Sequence, residues 1–397
     1  MFNYRLQKQR ALRVSELHCI GPDCEDSCCI DWSVHVDKAS YHKTMAHPEL
    51  KSLAEDSMQL INNKDDDLII IRFNDQGKCP FLQQNKLCKI HVLAGEDALS
   101  DTCRSYPRIS RVRGADTFES LSLSCPEAAR QILFGTDAFI FESHATEKDV
   151  FPRSVPEWAV KAYDYSIELL LDEHLNWQHS LFAIGMLVNC ADSVSKQQAS
   201  LGLLDDKFMY LSHIAKNGEL QQAFESFPYV PQHQLHTFLS LHTMCCDEHP
   251  RRFRPRFGEL NDAILAMSDT KGELDMERIN SAWNDIAIPA LASYEDLFSR
   301  YLLYYIYHLQ FPLTADKNPL AAFNLLILDC FMLRCYLAVM AAKYNGLSER
   351  DIVLCFQVYH VVRLHKPNFI KSARSILQQS SFSGSQAILS LLKSCGR

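Results

Sequence analysis

Eight cysteines crowd into the first third of the chain, and they constrain its folding more than any other feature. They stand at Cys19, Cys24, Cys28, Cys29, Cys79, Cys88, Cys103 and Cys125, while the other seven of the fifteen are scattered. Several adjoin Pro, Gly or Asp, residues that turn the chain. Thiolates converging from turns build sites for soft metals: zinc, copper(I) or iron–sulfur clusters. One such site uses three or four thiolates, and two zinc sites would use all eight. Cys24, Cys28, Cys79 and Cys103 rank first as ligands, because each lies in a turn-like context. Cys19, Cys29, Cys88 and Cys125 rank second. The neighbours Cys28 and Cys29 reach one site only from a turn, since adjacent side chains of an extended chain point opposite ways. Any single member can equally be a buried, inert thiol.

Composition narrows the classes. The residues Met1 to Val14 are polar and basic, unlike a secretory signal, so the expected compartment is the cytoplasm. There, clustered cysteines are more often metal ligands or catalytic groups than disulfides. The net charge of −8, from 40 Lys+Arg against 48 Asp+Glu, argues against a general nucleic-acid binder. The most apolar stretch, Leu320 to Ala342, carries Asn324, Asp329 and Arg334. It therefore reads as a buried helix of a soluble protein, with no membrane partner. The 13 glycines are so dispersed that no two lie within ten residues of each other. That excludes G-x-G-x-x-G, the P-loop and the glycine-rich first loop of most Rossmann-like methyltransferases. Neither H-E-x-x-H nor G-x-S-x-G occurs.

The length of 397 residues suits two or three domains. The fold class is read as mainly α: a small mixed α/β cysteine-rich module over residues 1–150, then an all-helical domain over 151–397. In the module, Tyr4 to Val14, Ile30 to Val36 and Leu68 to Phe73 read as strands. Asp37 caps a helix to Ala46, and Pro48 to Ile61 reads as a second. Phe81 to Ile90 reads as a hairpin and Val92 to Leu99 as a short helix. Cys103 to Pro107 reads as a turn, and Glu127 to Phe134 as a helix. From Pro156, placed as a helix N1 residue, helices follow to 171 and over 179–198, 204–226, 231–247, 258–268, 273–284, 289–310, 318–344, 348–365, 367–379 and 383–394.

The ordered blocks C-x4-C-x3-C-C, C-P-F-L with C-x-I-H, C-R-S-Y-P, and Leu121-Ser122-Leu123-Ser124-Cys125-Pro126-Glu127 resemble a known set. With the long helical remainder, they resemble the bacterial flagellin lysine N-methylase family. The specific motifs span residues 4–130. The resemblance implies a protein lysine N-methyltransferase with S-adenosylmethionine as donor and flagellin as substrate. It also implies an iron–sulfur cluster of [4Fe–4S] type, with zinc the alternative metal. The C-x3-C-x2-C signature of radical enzymes is absent, since Cys24 and Cys28 are followed by Asp31. Two other readings stay open: a non-catalytic zinc module for protein interaction, and an iron–sulfur redox protein.

Methyl transfer to an amine needs alignment with the sulfonium methyl, a neutral lysine and a cation for the donor's carboxylate. Arg104 and Arg108, beside Cys103, are the anion-contact candidates. Asp31, His91 and Tyr106 are the candidate proton acceptors or orienters, and each equally suits a hydrogen bond behind the cysteines. Trp32 suits core packing. His242, Cys245, Cys246 and His249 recur at helical spacing and read as core cysteines with surface histidines, because one helix rarely closes a tetrahedron. The aromatic run from Tyr294 to Tyr307 reads as mostly core.

Overall fold

Close-spaced turn residues break the N-terminal part into short strands and helices, and the chain beyond it runs in helices. The computed structural model describes residues 7–12, 17–30, 32, 34–62, 67–146, 154–246, 255–294, 296–313, 318–365, 368–379 and 385–394. Two small sheets form among the described residues. The first joins β1 (Gln7–Leu12), β5 (Arg108–Arg113), β6 (Asp116–Leu121) and β7 (Phe141–Thr146) in the order β5-β6-β1-β7. Here β1 runs parallel to β6 and antiparallel to β7. The β5–β6 hairpin closes on a two-residue loop whose Gly114 takes φ +63°, a left-handed value that glycine adopts freely.

The second sheet is antiparallel, with β2 (Val34–Val36), β3 (Met58–Asn62) and β4 (Asp67–Ile71) in the order β2-β4-β3. Its register sets Val34, Ile71 and Met58 in one cross-strand row. That row packs on α2 (Pro48–Ser57) through Leu50 and Ala54, and on Phe81, Ile90 and Leu99, as one apolar core. Asp37 starts α1 (Lys38–Ala46), its carboxylate accepting from the Ser40 N–H at 2.9 Å. The helix expected over Pro48 to Ile61 stops at Ser57. Met58–Asn62 becomes strand because its alternating residues pair across β4, a non-local gain that local spacing does not reveal. Of Ile30 to Val36, only Val34–Val36 is a strand, and Ile30 makes an isolated bridge to Lys78.

Three short helices follow: α3 (Lys89–Ala94), α4 (Asp101–Ser105) and α5 (Pro126–Phe134). The turn expected at Cys103 to Pro107 is largely α4, because the Ser100 hydroxyl accepts from the Cys103 N–H and caps it.

The helical part comprises α6 (Glu157–Leu170), α7 (Trp177–Ser195), α8 (Gly202–Lys216), α9 (Glu219–Glu225), α10 (Pro231–Cys246), α11 (Pro255–Ala266), α12 (Met276–Ala282), α13 (Ile288–Leu291), α14 (Leu297–Leu309), α15 (Pro319–Tyr344), α16 (Glu349–His365), α17 (Phe369–Gln379) and α18 (Ser385–Ser390). Pro156 is the N-cap residue of α6 rather than N1. Gly218 at φ +76° splits the helix expected over 204–226 into α8 and α9. A π turn, Trp283–Ala287, joins α12 to α13. Pro289 explains it: its ring would clash with the carbonyl four residues back, at Asp285, and the wider turn relieves that contact.

Helix α15 is the axis of this part, packed against α7, α11, α12, the π turn and α16. It is long and apolar enough to cross a bilayer, and it is buried along nearly its whole length inside the fold. Its two buried charges, Asp329 and Arg334, are matched. Asp329 accepts from Arg363 Nε at 2.7 Å and from the Tyr359 hydroxyl. Arg334 donates to the carbonyls of Leu392 at 2.9 Å and Lys393 at 3.0 Å. Burial pulls the Arg363 guanidinium down, but Asp329 beside it raises it well above the ordinary range. The Asp329→Ala variant leaves that cation buried without a counter-charge. Chemical denaturation should show a loss of about 3–5 kcal/mol. The double variant Asp329→Leu/Arg363→Met should recover most of it, and equal stability of the single variant and the parent would contradict the pairing.

Candidate functional site

The thiols occupy three kinds of position. Cys24, Cys28 and Cys29 lie on the irregular turn after a 3-10 segment, Gly21–Asp23. Cys79 is fixed to that turn because its N–H donates to the Cys29 carbonyl at 2.8 Å. Cys88 and Cys125 are the N-cap residues of α3 and α5, and Cys103 lies in the first turn of α4. At a helix start, unpaired N–H groups and the dipole favour a thiolate.

These elements converge. Cys29, Cys79, Cys88 and Cys103 border one cavity of about 20 Å³, with Val36, Ile71, Phe81 and Leu99 completing its wall. The Cys29 thiol lies within hydrogen-bonding reach of Cys28 and Cys79. The charges of Cys24 and Cys28 raise the Cys125 thiol, so these three lie near one another beside the same turn. Seven of the eight cysteines thus share one region, and the exposed Cys19 stands apart, its sulfur accepting from the Gly21 N–H. The division into first and second rank by turn context cuts across this grouping. Cys79 and Cys103 share the cavity with second-rank Cys29 and Cys88.

The donors are all thiols, a set that suits a thiophilic metal. Their placement is less complete. Among the described residues, no group of three or more His, Cys, Asp or Glu side chains is placed to hold a metal ion. A void of 20 Å³ is the size of one water or ion. The donor chemistry therefore fits, and the geometry of a four-iron cluster is not formed.

Burial pushes the Cys103 thiol up to about 11 and the Cys125 thiol up to about 12. It also raises Cys24 and Cys88, while Cys28 is raised first by its hydrogen bond with Cys29. The folded thiols thus hold their protons to higher pH than unfolded ones, which ionise near 9.0. Their stabilising effect is complete below about pH 9 and is lost as pH rises through the folded values. Metal-free, reduced protein should show a lower urea midpoint at pH 10 than at pH 8. The Cys103→Ser/Cys125→Ser variant should show a smaller drop, and an equal drop would contradict the assignment.

The other sequence-derived candidates fall as follows. Arg104 pairs with Asp101 on its own helix turn. Arg108 donates to the Leu17 carbonyl at 2.8 Å. His91 is exposed on α3. Asp31 lies outside the described residues. Tyr106 packs on Trp32 at 5.3 Å between ring centroids, and Trp32 packs on His365 at 5.4 Å. The Tyr106 hydroxyl also bonds Ser124 Oγ at 3.0 Å. From there a polar line continues. Gln357 Nε2 donates to the Ser124 carbonyl at 3.2 Å and to Asp26 Oδ2 at 2.7 Å. Asp26 and Glu25 in turn act on the charge of Arg256, in the first turn of α11.

Arg256, Glu25 and Gln357 were not singled out from the sequence. One signal was present: Arg256 ends a basic run, Arg251-Arg252-Phe253-Arg254-Pro255-Arg256, in an acidic chain. His242 is buried rather than at the surface, with its ring nitrogens 3.2 Å from the Tyr336 hydroxyl and 3.2 Å from Asn261 Oδ1. Cys245 is core, and His249 lies outside the described residues. A larger open cleft of about 500 Å³ is lined by Asp275, Glu277, Arg278 and Asp285, and it shares no residue with the thiol cavity.

Comparison with known proteins gives a consistent picture. Residues 163–391 match the family described as the FliB lysine N-methylase C-terminal domain. Over 374 residues the chain is 23% identical to a lysine-N-methylase of Salmonella choleraesuis (strain SC-B67), covering 90% of this chain and 92% of that protein. The lysine-N-methylase of Salmonella typhimurium (strain LT2) matches with the same identity and coverage. Over 150 residues the chain is 31% identical to the flagellar biosynthetic protein FliU of Salmonella muenchen, covering 36% of this chain and 89% of that protein. No solved structure matches.

Proposed function

The chain belongs to the FliB lysine N-methylase family, and on that footing we propose that it moves methyl groups from S-adenosylmethionine to lysine ε-amino groups of flagellin. The observation that carries the reading is the match to lysine-N-methylases along 90% of the chain. The flagellar name of a third relative supports a flagellar protein as substrate.

The reaction is a polar displacement. The lysine nitrogen forms a bond to the methyl carbon, and the sulfonium carbon–sulfur bond breaks. S-adenosylhomocysteine leaves, and the nitrogen gives up one proton. The chain must therefore present a neutral amine in line with the sulfonium. The Tyr106–Ser124–Gln357–Asp26 line supplies groups that can orient water or accept that proton beside the thiol turn.

The metal proposal rests on donor chemistry. The cysteines of the N-terminal part would hold an iron–sulfur cluster, with Cys29, Cys79, Cys88 and Cys103 nearest to a common void and Cys24, Cys28 and Cys125 beside them. The single-ion size of the void favours one competing reading, structural zinc in a non-catalytic interaction protein. The proposed compartment is the cytoplasm, where flagellin is available before export.

Anaerobically purified protein, incubated with methyl-labelled S-adenosylmethionine and unmodified flagellin, should transfer label to lysines. No transfer under reducing, metal-replete conditions would overturn the enzyme reading. The Cys29→Ser and Cys79→Ser variants separate the metal's roles. Lost transfer with an unchanged melting curve marks a metal needed for activity, and global unfolding marks a structural one.

A further inference from the structure

Arg256 is only 4% exposed, and none of its three guanidinium nitrogens has a hydrogen-bond partner. Buried polar groups are almost always paired, and an unmatched buried cation is strongly unfavourable. Its own helix offers no relief, because the first turn of a helix exposes N–H groups rather than carbonyls. Arg350, the next cation on this side of the fold, is already matched by Glu259 at 2.7 and 2.8 Å.

Two acceptors on the same seam are also unmatched. Glu25 gives one carboxylate oxygen to Arg130, and its Oε2 is buried without a donor. Gln357 gives its amide N–H groups to Asp26 and Ser124, and its Oε1 is buried without a donor. Both belong to elements packed around Arg256. Glu25 and Asp26 act on the Arg256 charge from the cysteine turn, and Gln357, which donates to Asp26 Oδ2 at 2.7 Å, lies on α16, packed against the α11 helix of Arg256.

Idle donors and idle acceptors on one seam call for a ligand that carries both an anion and an N–H-bearing cation. A phosphate or simple carboxylate would answer Arg256 and be repelled by Glu25. An α-amino-acid end answers both, and the planar guanidinium matches a carboxylate in two parallel bonds. We propose that Arg256, with Glu25 and Gln357, binds the α-amino-acid end of the sulfonium methyl donor. The carboxylate lies on Arg256, and the ammonium lies at Glu25 Oε2 and Gln357 Oε1. The assignment rests on the methyl-transfer reading. It sets the donor beside the cysteine turn and on the line that leads to Tyr106.

Calorimetric titration of the full chain with S-adenosylmethionine, S-adenosylhomocysteine and 5′-methylthioadenosine tests it, because the last lacks the amino-acid end. The parent protein should bind S-adenosylhomocysteine about tenfold or more tightly than 5′-methylthioadenosine. Arg256→Gln should lose about tenfold or more for the first two ligands and nothing for the third. Since Arg256 has no partner in the free protein, Arg256→Gln should melt at or above the parent temperature; a much lower melting point marks a structural arginine and overturns the assignment. Unchanged S-adenosylmethionine binding by Arg256→Gln overturns it too, and leaves the methyl-transfer reading standing. No binding of any of the three by the parent overturns both.

Discussion

A helix buried on every side must bury its charges with it, and the architecture follows from how α15 does so. Asp329 and Arg334 lie five residues apart on that helix, both essentially without solvent contact. Each ties a different element to the axis. Asp329 fixes α16 through Arg363 and Tyr359, and Arg363 reaches on to the Tyr305 hydroxyl of α14 at 3.1 Å. Arg334 draws in the chain after α18 through two carbonyls, and reaches Asn280 of α12 at 3.3 Å. Apolar packing alone would let these helices slide, whereas paired charges fix their register. That role for buried polar groups is attested elsewhere, though a polar network is not always a net stabiliser.

Helix α14 carries this frame to the N-terminal sheet. The Tyr304 hydroxyl donates to the Leu121 carbonyl at 2.9 Å, and Ser120 Oγ lies 2.6 Å from His308 Nδ1. Burial pushes the His308 imidazole down to about 3, so the contact is made by a neutral ring at physiological pH. Strand β6 leads directly into Ser122, Ser124 and Cys125, and Arg130 on α5 joins Glu25, Glu127 and Glu349. The cysteine turn is therefore held to α5 through Arg130 and to α16 through Gln357. The thiols and the idle Arg256 meet where the mixed and helical parts of the chain touch, a common place for a small-molecule site.

Much of this was legible in the sequence where the determinant is local. Asp37 capped the helix it was expected to cap, and the helix expected over Glu127 to Phe134 formed as α5, beginning one residue earlier at Pro126. The apolar stretch around Asp329 and Arg334 was read as a buried helix because a chain does not place two charges in lipid without need, and their partners explain the burial. What could not be read was non-local. Strand β3 depended on pairing with β4, and the helix expected over 289–310 broke at a 3-10 segment, Ala292–Tyr294. The cysteine spacing pointed to convergence, yet which thiols share a cavity depends on helix starts at Cys88 and Cys103 that turn context alone did not reveal. Arg256 was missed because its meaning is an absence of partners, which only the fold displays.

The most direct test of the account is the mass of flagellin's lysine-containing peptides, isolated from cells that carry this chain and from cells that lack it. The account predicts methyl increments on lysine that disappear with the chain and return when it is restored. Identical lysine masses in both would contradict protein methylation as its function.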